Sequence, residues 1–199
     1  MEIYYASFLQ KKVFFQSTNA TPAKVLIVRS TDNGITWGTP IDVTNQIYGP
    51  NPHWKGLFVA SGRAHQLRDG KIVAAIAVRE DIDGKDHINN YMISSTDHGV
   101  TWTASTARVE LHGDESKIIE LNNGDLLMSI RNKGLTWKTA YNQSDIPDPN
   151  CDGDIIHYTS TLDGYNKNRL LHNIPFSADR SNVSVHMLSQ NLTNITYIT

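Results

Sequence analysis

Two aspartates in this chain recur in one setting. Ser30-Thr31-Asp32-Asn33-Gly34-Ile35-Thr36-Trp37 returns as Ser95-Thr96-Asp97-His98-Gly99-Val100-Thr101-Trp102, with six of eight positions identical. Asp followed by Asn or His and then Gly offers oxygen ligands in a tight turn, as a calcium loop does. An EF-hand loop needs further oxygen ligands and a distal Glu, and neither copy has them. The alternative is a hairpin staple. Asp32 and Asp97 can accept hydrogen bonds from backbone N–H groups of the turn. Gly34 and Gly99 supply positive φ at low steric cost. Ser30 and Ser95 open the turn cluster, and Trp37 and Trp102 restart a strand with rings large enough to anchor it. Other reactive side chains are sparse. Cys151 is the only cysteine, so there is no intrachain disulfide framework and no zinc cluster. The eight histidines are scattered without metal-ligand spacing. No metal and no cofactor is expected. Taken singly, Glu115 reads as a hairpin-loop acid, Arg131 as a strand-end charge and Arg180 as part of a solvated loop.

The elements that would carry these residues are short strands. Lys12–Gln16, Lys24–Arg29, Lys71–Val78, Asn90–Ser94, Ser116–Leu121, Asp125–Ile130 and Ile155–Thr159 are apolar or β-branched runs. Asp69-Gly70, Asn123-Gly124 and Asp163-Gly164 between them are hairpin signals. No segment keeps a helical period, so the chain reads as antiparallel all-β. A strand–turn–Trp unit that repeats, each time followed by a loop and a hairpin, predicts successive propeller blades. At roughly 40–50 residues per blade the 199 residues amount to about four blades. A net charge of -2 argues against a nucleic-acid partner, which would favour a basic patch. No stretch is apolar enough to span a membrane, and the N-terminus lacks a signal-peptide pattern.

The repeated phrase resembles the Asp-box, S-x-D-x-G-x-T-W, of sialidases and some other β-propellers. His112-Gly113-Asp114-Glu115-Ser116-Lys117-Ile118-Ile119-Glu120-Leu121-Asn122-Asn123-Gly124-Asp125-Leu126-Leu127-Met128-Ser129-Ile130-Arg131-Asn132 is similar to the sialidase pattern N/D-E-S-x-V-x-E-L-x-D-G-x-L-x-x-x-x-R-N. Asp179-Arg180-Ser181-Asn182-Val183-Ser184-Val185 resembles the later R-x-N-L-T-V segment. Ser61-Gly62-Arg63-Ala64-His65-Gln66-Leu67 and Asn150-Cys151-Asp152-Gly153-Asp154-Ile155-Ile156 resemble the G-R-G-I-Q-L and C-x-G-S-I-I stretches. The order is that of bacterial-type exo-sialidases, from about Leu26 to Val185.

This resemblance implies a sialidase-type six-bladed β-propeller, with residues 1–199 forming part of it. It implies a retaining glycoside hydrolase that releases terminal sialic acid from sialylated glycoconjugates. In the family three arginines hold the substrate carboxylate, a task that suits the permanently charged guanidinium fork. A Tyr is the nucleophile, a Glu accepts its proton, and an Asp serves as acid and base. A neutral phenol is not repelled by the sugar's own negative charge. Glu115 matches the Glu that partners the Tyr, and Arg131 and Arg180 match the second and third arginines. Glu120 reads instead as an outward strand residue. The segments for the first arginine, the Asp and the Tyr find no match, so a truncated or diverged, weakly active or inactive form is expected. Gly134-Leu135-Thr136-Trp137 looks like the tail of a third box fused to the triad arginine, unless the match is coincidental. The alternative reading is a non-catalytic module that binds an acidic glycan. A secreted, periplasmic or cell-surface location follows only from family expectation.

Overall fold

The computed structural model describes residues 4–8, 14–59, 61–131, 133–136, 151–175, 177, 181–191 and 194–198. In chain order the strands are β1 (Tyr4–Phe8), β2 (Leu26–Ser30), β3 (Ile41–Asp42), β4 (Trp54–Val59), β5 (His65–Gln66), β6 (Ile72–Ile82), β7 (Lys85–Ser95), β8 (Thr103–Ala104), β9 (Glu110–Leu111), β10 (Ser116–Glu120), β11 (Leu126–Ile130), β12 (Lys133–Thr136), β13 (Asp154–Thr159), β14 (Arg169–Pro175), β15 (Val183–Asn191) and β16 (Asn194–Ile198). They form antiparallel sheets, none of them closed, in the orders β1-β2-β3, β4-β6-β7-β8 with β9 on β7, β10-β11-β12, and β13-β14-β15-β16. The fold is all-β. Among the described residues one α-helix, α1 (Thr44–Tyr48), interrupts it.

The chain divides into two compact units, residues 1–59 with 66–112 and residues 60–65 with 113–199. The first unit buries Val25, Ile27, Ile47, Trp54, Leu57, Ile76, Val78, Tyr91, Ile93 and Trp102 in one apolar cluster. Trp54 and Tyr91 pack there with ring centroids 4.7 Å apart. The second unit has its own core of Ile119, Leu121, Leu127, Ile155, Leu170 and Leu188. Strand alternation supplies both cores: Ile72, Ala74, Ile76 and Val78 lie on one side of β6 and point into the first.

Turn chemistry sets the registers. At Asp69-Gly70 the Leu67 N–H donates to the Lys71 carbonyl at 2.7 Å, and at Asn123-Gly124 Leu121 does the same to Asp125 at 2.7 Å. Gly70 and Gly124 take φ of 88° and 85°. Four expectations change. Phe14–Gln16 is a 3₁₀ turn rather than a strand. The strands predicted at Lys71–Val78 and Asn90–Ser94 extend to Ile82 and back to Lys85, because Asp83 (φ 53°) and Gly84 (φ 78°) make a two-residue turn between them. Asp163-Gly164 closes a 3₁₀ turn, Thr161–Asp163, capped by the Ser160 hydroxyl, so β13 and β14 are joined by a longer loop. Gly134 lies in β12 opposite Ser129, so Gly134–Thr136 is strand and not the tail of a third turn. Trp137 lies outside the described residues.

Candidate functional site

The repeated phrases are self-contained turns. In the first, Ser30 Oγ donates to Asp32 Oδ1 at 2.7 Å and accepts from the Gly34 N–H at 2.8 Å, while the Thr36 N–H donates to Asp32 Oδ1 at 2.8 Å. In the second, the matching distances for Ser95, Asp97, Gly99 and Thr101 are 2.8, 2.7 and 2.9 Å. Both Thr hydroxyls donate to the second carboxylate oxygen. The Thr36 hydroxyl and N–H, followed by the Ser30 hydroxyl, hold the Asp32 carboxyl down at about 2. The Asp97 carboxyl lies well below the ordinary range through the same contacts, those of Thr101 foremost. Gly34 and Gly99 take φ of 80° and 76°. Each carboxylate is thus turned into its own turn.

The two tryptophans differ. Trp102 is 4 % exposed, belongs to the apolar core and donates Nε1–H to the Gly99 carbonyl at 3.1 Å. Trp37 is 46 % exposed. The anchoring expected of both rings is seen only for Trp102. The reason lies in the surroundings: the Trp102 N–H donates to Gln46 Oε1 on α1 at 2.7 Å, which draws that turn against the helix.

The second unit brings Glu115 and Arg131 together. Ser116 and Ile130 pair at the end of the β10–β11 hairpin. One step further, the Arg131 N–H donates to the Glu115 carbonyl at 2.9 Å. Their side chains therefore share one face, with Arg131 Nη1 at 3.4 Å from Glu115 Oε2 and 3.3 Å from Asp114 Oδ2. All three side chains are about a third exposed or less. Arg131 Nε is buried and has no hydrogen-bond partner among the described residues. A guanidinium can bind an anionic ligand, and a carboxylate beside it can accept a proton. Arg180 lies outside the described residues. Glu120 is buried, 9 % exposed, against the expectation that it points out.

Ionic contacts in both units escaped the reading of the sequence. In the second unit Lys117 Nζ lies 2.7 Å from both carboxylate oxygens of Asp152. Strand alternation could have placed Lys117 on the Glu115 face, but no local signal names its partner. In the first unit Glu80, 1 % exposed, accepts from Asn89 Nδ2 at 2.6 Å and from the Tyr91 hydroxyl at 2.9 Å. Arg108 Nε and His53 Nε2 flank it at 3.3 and 3.2 Å. Burial first, and then the Glu80 carboxylate, push the Tyr91 phenol up to about 12. Among the described residues no group of three or more His, Cys, Asp or Glu is placed to hold a metal ion. None of the described helices is long and apolar enough to cross a membrane.

Residues 8–193 match the BNR repeat-like domain. The chain is 30% identical over 148 residues to a sialidase of Micromonospora viridifaciens, covering 65% of this chain and 22% of that protein. It is 34% identical over 125 residues to a sialidase of Paraclostridium sordellii, covering 59% of this chain and 30% of that protein. It thus spans about a third or less of the length of these curated relatives. Among solved structures, a Hadza microbial sialidase superposes with a TM-score of 0.73 at 24% identity, over 87% of this chain and 35% of that one.

Proposed function

Because the chain belongs to the BNR repeat-like domain family, we propose that its Glu115–Arg131 pair serves an exo-sialidase-type site for the terminal sialic acid of glycoconjugates. On this reading the chain is part of a six-bladed propeller and supplies about four of its blades. The observation that carries the proposal is the meeting of Glu115 and Arg131 at one hairpin end, with the Arg131 side chain 26 % exposed. Arg131, joined by Arg180, holds the sugar's carboxylate. Glu115 takes the proton of a tyrosine nucleophile, and the glycoside is cleaved with retention. The sialidases among the relatives support the substrate class.

Two measurements test this. In calorimetry, free sialic acid is expected to bind the wild-type chain and to lose at least about tenfold in affinity on Arg131→Ala, as befits a lost charge-assisted hydrogen bond. Equal affinity for both proteins would sink the reading. Any turnover of a fluorogenic sialoside should vanish in Glu115→Gln. Turnover that survives the substitution removes Glu115 from the chemistry.

A further inference from the structure

Glu115 and Lys117 lie on the same side of the chain entering β10, since strand side chains alternate. Ser129 stands opposite Lys117 in register, and Arg131 is the next residue on that side of β11. In the other direction come Ile119 and Leu127, both in the core of the second unit. Along this face the hairpin passes from a charged layer through a polar one to an apolar one.

The middle layer is held by groups from elsewhere in the unit. Lys117 is only 8 % exposed, and its ammonium sits 2.7 Å from both oxygens of Asp152. The Ser61 hydroxyl donates to Asp152 Oδ2 at 2.6 Å. Ser129 Oγ and His172 Nε2 are 3.1 Å apart. Gly62 lies against the lysine stem so closely that a Cβ there would stand 2.3 Å from Lys117 Cδ. Packing alone does not ask for this arrangement. Lys117 is taken out of water while Asp152 stays about a third exposed, and burying a charge in this way is often no more stabilising than an apolar contact of the same volume. Local rules broken in this way concentrate next to functional sites.

We propose that Lys117 and Asp152 are positioning residues for the Glu115–Arg131 pair. The inference rests on reading that pair as the ligand site. Lys117 pulls the 151–153 segment and Ser61-Gly62 onto β10, so the residue pair beneath Glu115 and Arg131 is fixed by an ion pair on one side and by the Ser129–His172 hydrogen bond on the other. That restricts where the Glu115 carboxylate, and with it the Arg131 guanidinium, can swing.

The test replaces the ion pair by apolar side chains, Lys117→Met with Asp152→Leu, in the full chain. Three quantities are read: the melting temperature, the calorimetric affinity for free sialic acid, and the NMR resonance of the Arg131 Nε–H. The double variant is expected to melt at the wild-type temperature or above and to bind about tenfold more weakly, the scale of a small misplacement. Its Arg131 Nε–H resonance is expected to shift. A folded double variant with the wild-type resonance overturns the inference, because a purely structural pair would leave the guanidinium where it is. Should the double variant not fold, Gly62→Ala displaces the lysine stem without removing a charge, and the same shift is expected there. An unmoved resonance in Gly62→Ala would likewise overturn it. A shifted resonance in a protein whose wild type binds no sialic acid upholds the positioning role and removes the substrate reading alone.

Discussion

Arg131 faces two carboxylates with one nitrogen. Its Nη1 contacts to Asp114 and Glu115, at 3.3 and 3.4 Å, are longer than the 2.7–2.9 Å typical of a strong charge-assisted bond. Neither carboxylate makes a short bond to the guanidinium, and an incoming carboxylate meets two negative charges beside the one positive charge that attracts it. Asp114 has no role in the proton transfer assigned to Glu115. Asp114→Asn is expected to tighten binding of sialic acid about fivefold, which corresponds to about 1 kcal/mol for two charges about 4 Å apart in water. Calorimetry at low salt reads this directly. Weaker binding by the variant would show that Asp114 holds Arg131 in place and does not compete with the ligand. The spacing of Glu115 and Arg131 in the sequence was informative because a tight Asn123-Gly124 turn folds a two-stranded hairpin in one register. The partner of Lys117 was not legible, since Asp152 lies 35 residues away and no local pattern links them.

In the turn elements, stability depends on ionised aspartates. The ordinary carboxyl value of 3.8 falls to about 2 for Asp32, chiefly through the Thr36 hydroxyl. Asp97 is shifted in the same direction by Thr101. Between these limits the unfolded chain binds more protons than the folded one, so stability rises with pH through the window. The contribution is fully present above about pH 4 and is lost as the pH falls through the folded value. Asp32→Asn should therefore melt below the wild type at pH 6, and the gap should close as the pH is lowered from about 4 to about 2. Melting followed by circular dichroism gives both numbers. A gap that stays constant over that range would mean that the turn is held by shape and not by the carboxylate's charge. The two turns also show how far an element can be read from its letters. Asx hydrogen bonding and positive φ are local, and both copies have them. Burial of the tryptophan is not local, and only Trp102 has it.

For the molecule as a whole, alkaline pH acts on the first unit through its buried phenols. Tyr48 and Tyr91 are both pushed up to about 12, in each case first by burial. Here the folded chain binds the more protons between about pH 10 and about pH 12, so stability is complete below the lower value and declines as pH rises through the upper one. In urea at pH 7, Tyr91→Phe should be less stable by about 1–3 kcal/mol, because Glu80 loses a buried donor. From pH 10 to 12 the variant should lose stability less steeply than the wild type, having one phenol fewer to ionise. Parallel declines for the two proteins would exclude Tyr91 as a source of the alkaline limit. Nothing in the sequence marked Glu80 out. It follows an apolar run that stops at Val78 and lies inside β6, and its burial depends on His53, Asn89, Tyr91 and Arg108 closing over it from separate segments.

Local chemistry made the all-β character, both aspartate turns and the Asp69-Gly70 and Asn123-Gly124 hairpins readable from the letters alone. A turn needs only the φ its residues tolerate and the hydrogen bonds they reach within a few positions. Asp163-Gly164 marks the edge of this rule: the same dipeptide closes a 3₁₀ turn where no strand pairs directly across it. The sequence by itself thus determined the all-β character and those turns whose bonds are local. Only the tertiary structure decided which distant charges meet: Lys117 with Asp152, and Glu80 with Arg108. A buried ion needs its counter-ion within a few ångströms, and the position of that partner depends on strands packed from distant parts of the chain.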